Sequence, residues 1–208
     1  MTSIERETLR RVMLNVQSPM IVELGAYRGE DGPFLRSLGN GTLGVHIMVE
    51  PDYRNIAYIV EHRPATRVIH GAIAMQTGMR NFNFSDDHNQ EQGSGSILPP
   101  TGHLTHFPHI RFDKKEMVKA YSLDDLFARE GVFRCDLLYV DIQGAEKEMI
   151  LGGQDALSRT LYLFMEAEKT EFYRGQAVRP DLLAMLPEWD LIGDFDFNIL
   201  LRNRKVYG

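Results

Sequence analysis

The stretch LLYVDIQGAEKEMILGG, residues 137–153, decides the reading of this chain. A largely apolar run ends on Asp141, and Gly144 and a second acid, Glu146, follow at once. The run has the length and burial of a β-strand, and the residues after Gly144 read as a helix. A strand that ends on a carboxylate is either a surface strand with a solvated Asp or a strand whose carboxyl end meets a ligand. Glu146 suits the first turn of the helix, where an acid complements the dipole.

Working outward, strands and helices alternate. Residues 3–16 carry apolar positions at helical spacing, giving an N-terminal helix within residues 1–18. MIVELG, from Met20, is a short strand stopped by Gly25, and DGPFLRSL opens a helix with Pro33 in its first turn. GVHIMVE and RVIHGAIA are further strands, separated by the helix PDYRNIAYIVEH. Such alternation predicts a parallel sheet built from βα units. MRNFNFS then alternates with a period of two and predicts an exposed antiparallel strand. Residues 85–115 follow, rich in Gly, Ser, Pro, Asn and His without a period, and read as a long lid loop. SLDDLFARE is a helix with Ser122 as N-cap and Asp125 three residues on, an acidic variant of a capping box. TLYLFMEAE is a strand, and WDLIGDFDFNILLRNRK predicts a closing antiparallel hairpin. There is no internal repeat or linker, so residues 1–208 read as one domain.

Composition narrows the class. The 43% hydrophobic and 25% charged residues are those of a globular protein. The lone Cys135 opens an apolar run, which predicts a buried, inert thiol. No window approaches the roughly 18 continuous apolar residues of a membrane span, and the charged N-terminus is unlike a secretory signal, so a cytoplasmic protein without a membrane partner is expected. The net charge of −6 gives no support to nucleic-acid binding and is compatible with a small or cationic ligand.

The first strand hands over to a helix through Glu23-Leu-Gly25-Ala26-Tyr-Arg-Gly29. Glycine here permits positive φ and lets a ligand approach bare backbone. The dinucleotide fingerprint places a second glycine two residues after the first, and this chain does not. A pyrophosphate thus loses its close approach, whereas S-adenosyl-L-methionine, with an amino group and no phosphate, fits an acid-led turn. Glu50 ends the second strand, where a carboxylate can accept both hydroxyls of an adenosine ribose. Ala72 and Ile73, just after the third strand, are candidates to flank adenine, although each can equally be core.

Taken in order, EPDYRN, GAIA, GSGSIL, SLDDLF and LLYVDIQGAEKEMILGG resemble the FkbM-like family of S-adenosylmethionine-dependent methyltransferases, from about Met20 to Lys169. Asp141, Ile142, Gly144, Ala145, Glu146, Leu151 and Gly152 fit the family's central motif, while Gln143 stands where its usual Glu would be. The resemblance implies a class I methyltransferase fold of the Rossmann-like α/β kind. That fold has a seven-stranded, mostly parallel sheet, helices on both faces and the C-terminal hairpin. It implies methyl transfer to a hydroxyl of a small metabolite such as a sugar or polyketide. The implied cofactor set is Glu23, Gly25, Gly29, Glu50, Ile73 and Asp141, with the adjoining Ala26, Pro51, Ala72 and Ile142. Ser94 and Ser96 map onto the family's Ser-rich segment and would close over the cofactor; ordinary loop solubility explains them as well.

A hydroxyl acceptor must lose its proton, which calls for a general base. Glu166 and Glu168 end the next strand, and Glu166 aligns with the family's acid there. His103, His106 and His109, three apart in the long loop, are the other candidates, since neutral imidazole can take a hydroxyl proton. Pro108 breaks any helix that would align them, and no carboxylate or Cys completes a metal set, so no metal is expected. Two other readings compete: a non-catalytic partner subunit of methyltransferase fold, and an NAD-dependent oxidoreductase, which the glycine pattern opposes. Neither the acceptor's identity nor the oligomeric state is written in the sequence.

Overall fold

The computed structural model describes residues 1–40, 44–63, 67–86 and 93–206. Helix α1 (Ser3–Met13) starts at Thr2, whose hydroxyl accepts from the Glu5 amide while the Glu5 carboxylate accepts from the Thr2 amide. This reciprocal box satisfies two otherwise orphaned donors. The helix ends at Met13, three residues before the apolar pattern does.

Strands β1 (Met20–Leu24), β2 (Val45–Glu50) and β3 (Arg67–His70) lie side by side in parallel. Helices α2 (Gly32–Arg36) and α3 (Tyr53–His62) connect them. RVIHGAIA is not one strand. It divides at Gly71, whose amide holds the Glu50 carbonyl, and β4 (Ala72–Ile73) leaves for a second sheet.

The expected lid, residues 85–115, is shorter than its composition implies. Strand β5 (Gly78–Asp86) runs into it from one side, and β6 (Arg111–Tyr121) starts inside it from the other. A short helical turn, α4 (His103–His106), lies between; residues 87–92 of the expected lid lie outside those described. β6 escapes notice because its first seven residues are charged, exposed or half-buried, with no apolar alternation. Its ladder with β5, from Gly78↔Ala120 to Asp86↔Arg111, carries it instead. The second sheet has the order β4-β6-β5.

Helix α5 (Leu123–Glu130) has Ser122 as N-cap, accepting from the Asp125 amide at 3.2 Å. The expected return bond passes through Thr77. Its hydroxyl donates to the Asp125 carboxylate and accepts from the Ser122 amide at 3.0 Å. Strand β7 (Cys135–Val140), helices α6 (Glu146–Leu151) and α7 (Gln154–Ser158), strand β8 (Thr160–Glu166) and helix α8 (Arg179–Ala184) follow. The chain closes on the expected antiparallel pair, β9 (Trp189–Asp194) and β10 (Asn198–Asn203).

The main sheet has the order β3-β2-β1-β7-β8-β10-β9, with β10 antiparallel to both neighbours. Every residue of β7 is buried because both faces are covered. Leu138 and Val140 pack among Leu126, Phe127, Met149 and Leu182, while Leu137 and Tyr139 pack among Leu9, Met13 and Phe34. That two-sided burial produces the continuous apolar run seen in the sequence. Cys135 lies in the first of these cores, and burial pushes its thiol up to about 12. No helix among the described residues is long and apolar enough to cross a membrane.

Candidate active site

After β1 the chain turns toward β2 and β3, and it returns to β1's other side only with β7. The carboxyl ends of β1 and β7 therefore flank a topological switch point, where open α/β sheets leave a crevice. The Asp141 amide donates to the Leu24 carbonyl at 2.9 Å, closing the two ends together. Gly25 adopts φ +77, and a Cβ on it would stand 1.7 Å from the Asp141 carbonyl oxygen. Its glycine is thus demanded by the neighbouring backbone, whatever ligand lies above.

A cleft opens there. Among the expected cofactor residues, Gly25, Glu50, Pro51, Ala72, Ile73, Asp141 and Ile142 line it. Glu50 is 5% exposed and accepts from the amides of Tyr27 (2.8 Å) and Asp52 (2.9 Å) and from Asn55 Nδ2 (3.3 Å). Burial pushes its carboxyl up to about 8 against the pull of those donors. Asn55 lines the same cleft, and its Oδ1 is buried without a partner among the described residues. An uncommitted buried acceptor beside a ribose-binding type of carboxylate fits a hydroxyl- or amino-bearing ligand such as an adenosine. Phe82 adds an aromatic wall.

Glu23, Ala26 and Gly29 do not line the cleft. Glu23 is 2% exposed and holds His46 Nε2 at 2.8 Å in a buried pair. Ala26 packs with Met48 and Ile59, and Gly29 lies against Arg63 and Met48.

Beyond Gln143 is a second cavity of about 590 Å³. Glu166 and Glu168 line it with His103, Ser94 and the rings of Phe107, Phe172, Tyr173 and Phe197. His106 and His109 are exposed and do not line it. His103 is buried among Phe107, Phe112, Phe172 and Tyr173. Burial, then the neighbouring His109 and His106, lower its pKa and favour the neutral ring. No group of three or more potential metal ligands is found among the described residues.

Gln143 lines both cavities. Its Nε2 donates to Asp141 Oδ1 at 2.6 Å and to Glu166 Oε2 at 3.2 Å. Its Oε1 faces the Tyr173 hydroxyl at 2.9 Å, which also reaches the Ser94 carbonyl at 2.8 Å. Gln143 sits at φ +52, a conformation few non-glycine residues adopt and one that strained functional sites retain. Ser96 supports it by donating from its hydroxyl to the Gln143 carbonyl at 2.7 Å. Gly144 follows at φ +94, and a side chain there would press on the Tyr173 ring. Asp141 and Glu166 thus meet at one amide nitrogen. Burial raises both, and Asp141, Glu146 and Glu168 push Glu166 well above the carboxylate range. Glu146 itself is pushed up to about 7 by burial, while accepting from the Ile142 and Gly144 amides.

Asn55, Tyr173 and the place of Gln143 in both linings escaped sequence reasoning. Asn55 carried a signal, since it lies one helical turn past Glu50 within EPDYRN. Tyr173 carried none, because a strand and a loop bring it in from 30 residues away.

Sheet order, switch-point cleft and C-terminal antiparallel strands together define a class I methyltransferase fold. Comparison with known proteins agrees. The methyltransferase FkbM domain matches residues 23–198. The 2-O-methyltransferase NoeI of Sinorhizobium fredii (strain NBRC 101917 / NGR234) is 31% identical over 205 residues, covering 93% of this chain and 83% of that protein. Among solved structures, methyltransferase FkbM from Methylobacillus flagellatus KT superposes with a TM-score of 0.56 at 17% identity, over 95% of this chain and 47% of its own. TehB from Haemophilus influenzae does so at 0.52 and 9% identity, over 97% and 62%. This chain thus spans about half of the first structure and under two thirds of the second. It belongs to the FkbM methyltransferase family.

Proposed function

We propose that this protein transfers a methyl group from S-adenosyl-L-methionine to a hydroxyl oxygen of a small molecule, such as a sugar or polyketide. The observation that carries this reading is Gln143, which touches a carboxylate of each cavity and so marks where two ligands would meet. When bound, the donor supplies a sulfonium methyl carbon open to attack by an oxygen lone pair. Glu50 would hold the ribose hydroxyls, with Asn55 Oδ1 as a further acceptor, and Ala72 and Ile73 would flank the adenine. Asp141 would face the cationic methionine end. Ser94 and Ser96 belong to the segment that closes over this ligand, Ser96 acting through the Gln143 backbone.

Across Gln143, the rings of Phe107, Phe172 and Phe197 offer an apolar floor for the acceptor. Glu166 would take the hydroxyl proton, a contribution worth about 10²–10⁴-fold. His103 lines the same cavity and is the alternative base; His106 and His109 are not placed for it. The name of the Sinorhizobium relative, a 2-O-methyltransferase, supports an oxygen acceptor. Among the described residues the first cleft has Glu50 and Asp141 in its lining and no Lys or Arg, which disfavours a pyrophosphate-bearing NAD.

Titration calorimetry with S-adenosylmethionine and with NAD tests the donor, and S-adenosylhomocysteine release across a set of hydroxylated acceptors tests the reaction. Tight NAD binding without S-adenosylmethionine binding overturns the proposal. Glu166→Gln is expected to lose turnover while still binding the donor; the same result for His103→Gln alone would move the base to His103.

A further inference from the structure

Asp141 Oδ1 and Glu166 Oε2 lie 2.6 and 3.2 Å from one nitrogen, Gln143 Nε2, and two buried carboxyl groups so close do not readily ionise together, so one retains a proton. Gln143 spans the pair from the side, and its amide nitrogen has the two hydrogens needed to donate to both. An ionised Glu at this position has no hydrogen to donate and would bring a third negative charge against the pair. Gln143 is a positioning residue for a proton-sharing pair.

The groups facing the pair favour retention of that proton. Glu146 approaches from α6, Glu168 from beyond β8, and Asp31, at the start of α2, acts on Asp141. The buried Tyr173 hydroxyl lies beyond Gln143, and His103 lies across the second cavity.

We infer that the Asp141–Glu166 pair holds one proton in the donor-free protein and gives it up when a positively charged group enters the first cleft. Glu166 then becomes a free carboxylate only in the donor complex. The inference rests on the donor assignment proposed above. An opposite charge favours the ionised form of a carboxyl group, so the proton is lost to solvent. In the transfer itself, the acceptor oxygen bonds to the methyl carbon and its hydrogen passes to Glu166. The electrons of the carbon–sulfur bond stay on sulfur, which ends neutral. A base held protonated until the donor arrives cannot deprotonate an acceptor unproductively.

Linkage gives the sign. If binding releases a proton, donor affinity tightens as pH rises and levels off above the pKa of the free pair. Calorimetry in two buffers of different ionisation enthalpy counts the protons directly, with S-adenosylmethionine and the uncharged-sulfur S-adenosylhomocysteine as probes. Near neutral pH both ligands, which carry the same α-ammonium, are expected to release close to one proton, S-adenosylmethionine no less than S-adenosylhomocysteine, and Glu166→Gln to bind both without that release. No proton release on S-adenosylmethionine binding to the native protein, or a release that survives Glu166→Gln, would overturn the inference while leaving the donor assignment standing. Absence of S-adenosylmethionine binding would sink the donor assignment and the inference together. Should Glu166→Gln fail to fold, the pH dependence of the native protein's affinity for the two ligands gives the same decision. Gln143→Glu, with a third acid at the pair, is expected to move the acidic limb of the turnover profile to higher pH. An unmoved profile would refute the positioning role.

Discussion

Glu23 and Glu50 stand near the carboxyl ends of adjacent parallel strands, both almost fully buried and both raised by burial. Their surroundings differ completely. In the β1–β2 register Glu23 lies opposite Met48, two residues short of Glu50, or about 7 Å deeper in the sheet. At that depth it meets another side chain, His46, and the two form a closed pair. Glu50, at the sheet's edge, is held by the Tyr27 and Asp52 amides and faces open space. Depth along the ladder decides whether a buried acid serves the fold or a ligand.

Four substitutions, with Glu23→Gln as a control, would break or sharpen this contrast, in descending order of effect. Gly25→Ala, at the turn just above Glu23, should be the most damaging. A Cβ cannot fit beside the Asp141 carbonyl, and φ +77 adds strain. A loss of about 4 kcal/mol in denaturant unfolding is expected.

His46→Ala comes next, at about 3 kcal/mol, because it strands a buried carboxyl that escapes part of the cost by taking up a proton. Donor affinity of whatever protein folds should be near native. A large loss of affinity without a loss of stability would reverse the roles given to Glu23 and Glu50.

Measured above about pH 8, where Glu50 is ionised, Glu50→Gln should weaken S-adenosylmethionine binding tenfold or more, as removal of a charged hydrogen-bonding partner does, about 1.5–3 kcal/mol. Glu23→Gln should leave that affinity within about twofold, since Glu23 does not line the cleft. Equal losses would erase the distinction. Glu50→Gln also carries a pH signature. With a folded pKa of about 8 against an ordinary 4.5, the folded state binds more protons across that interval. The stability that Glu50 contributes is therefore complete below 4.5 and is lost as pH rises through about 8. Unfolding free energies measured across this window should fall less steeply in Glu50→Gln than in the native protein.

The smallest effect is assigned to Asn55→Ala. It removes the Oδ1 acceptor and one donor to Glu50 and should cost the donor about 1 kcal/mol, several-fold in affinity. An unchanged dissociation constant would remove Asn55 from the site and leave Glu50 alone there.

Much of the fold was legible because its central strands are buried on both faces. β1, β2, β7 and β8 each read as short apolar runs, and the Gly and Pro residues that punctuate them mark the turns. β6 was illegible for the opposite reason: its exposed, charged side chains carry no pattern, and its partner β5 is what makes it a strand. In the site, Gly25, Glu50 and Asp141 were readable as strand-end residues, which local sequence reveals. Glu23 was readable in the same way and lies elsewhere, because an acid's position relative to the sheet edge depends on the register of a neighbouring strand.

By itself the sequence determined the alternation of strands and helices, the acids available at the strand ends, and the presence of Gln143 two residues after Asp141. Those are local properties, set by side-chain chemistry and spacing. Only the tertiary structure decided that β1 and β7 would adjoin, that Glu23 would be sealed against His46, and that Gln143 would reach Asp141 and Glu166 at once. Each depends on strands distant in the chain meeting at one edge of the sheet, and their order and register follow from the packing of both faces.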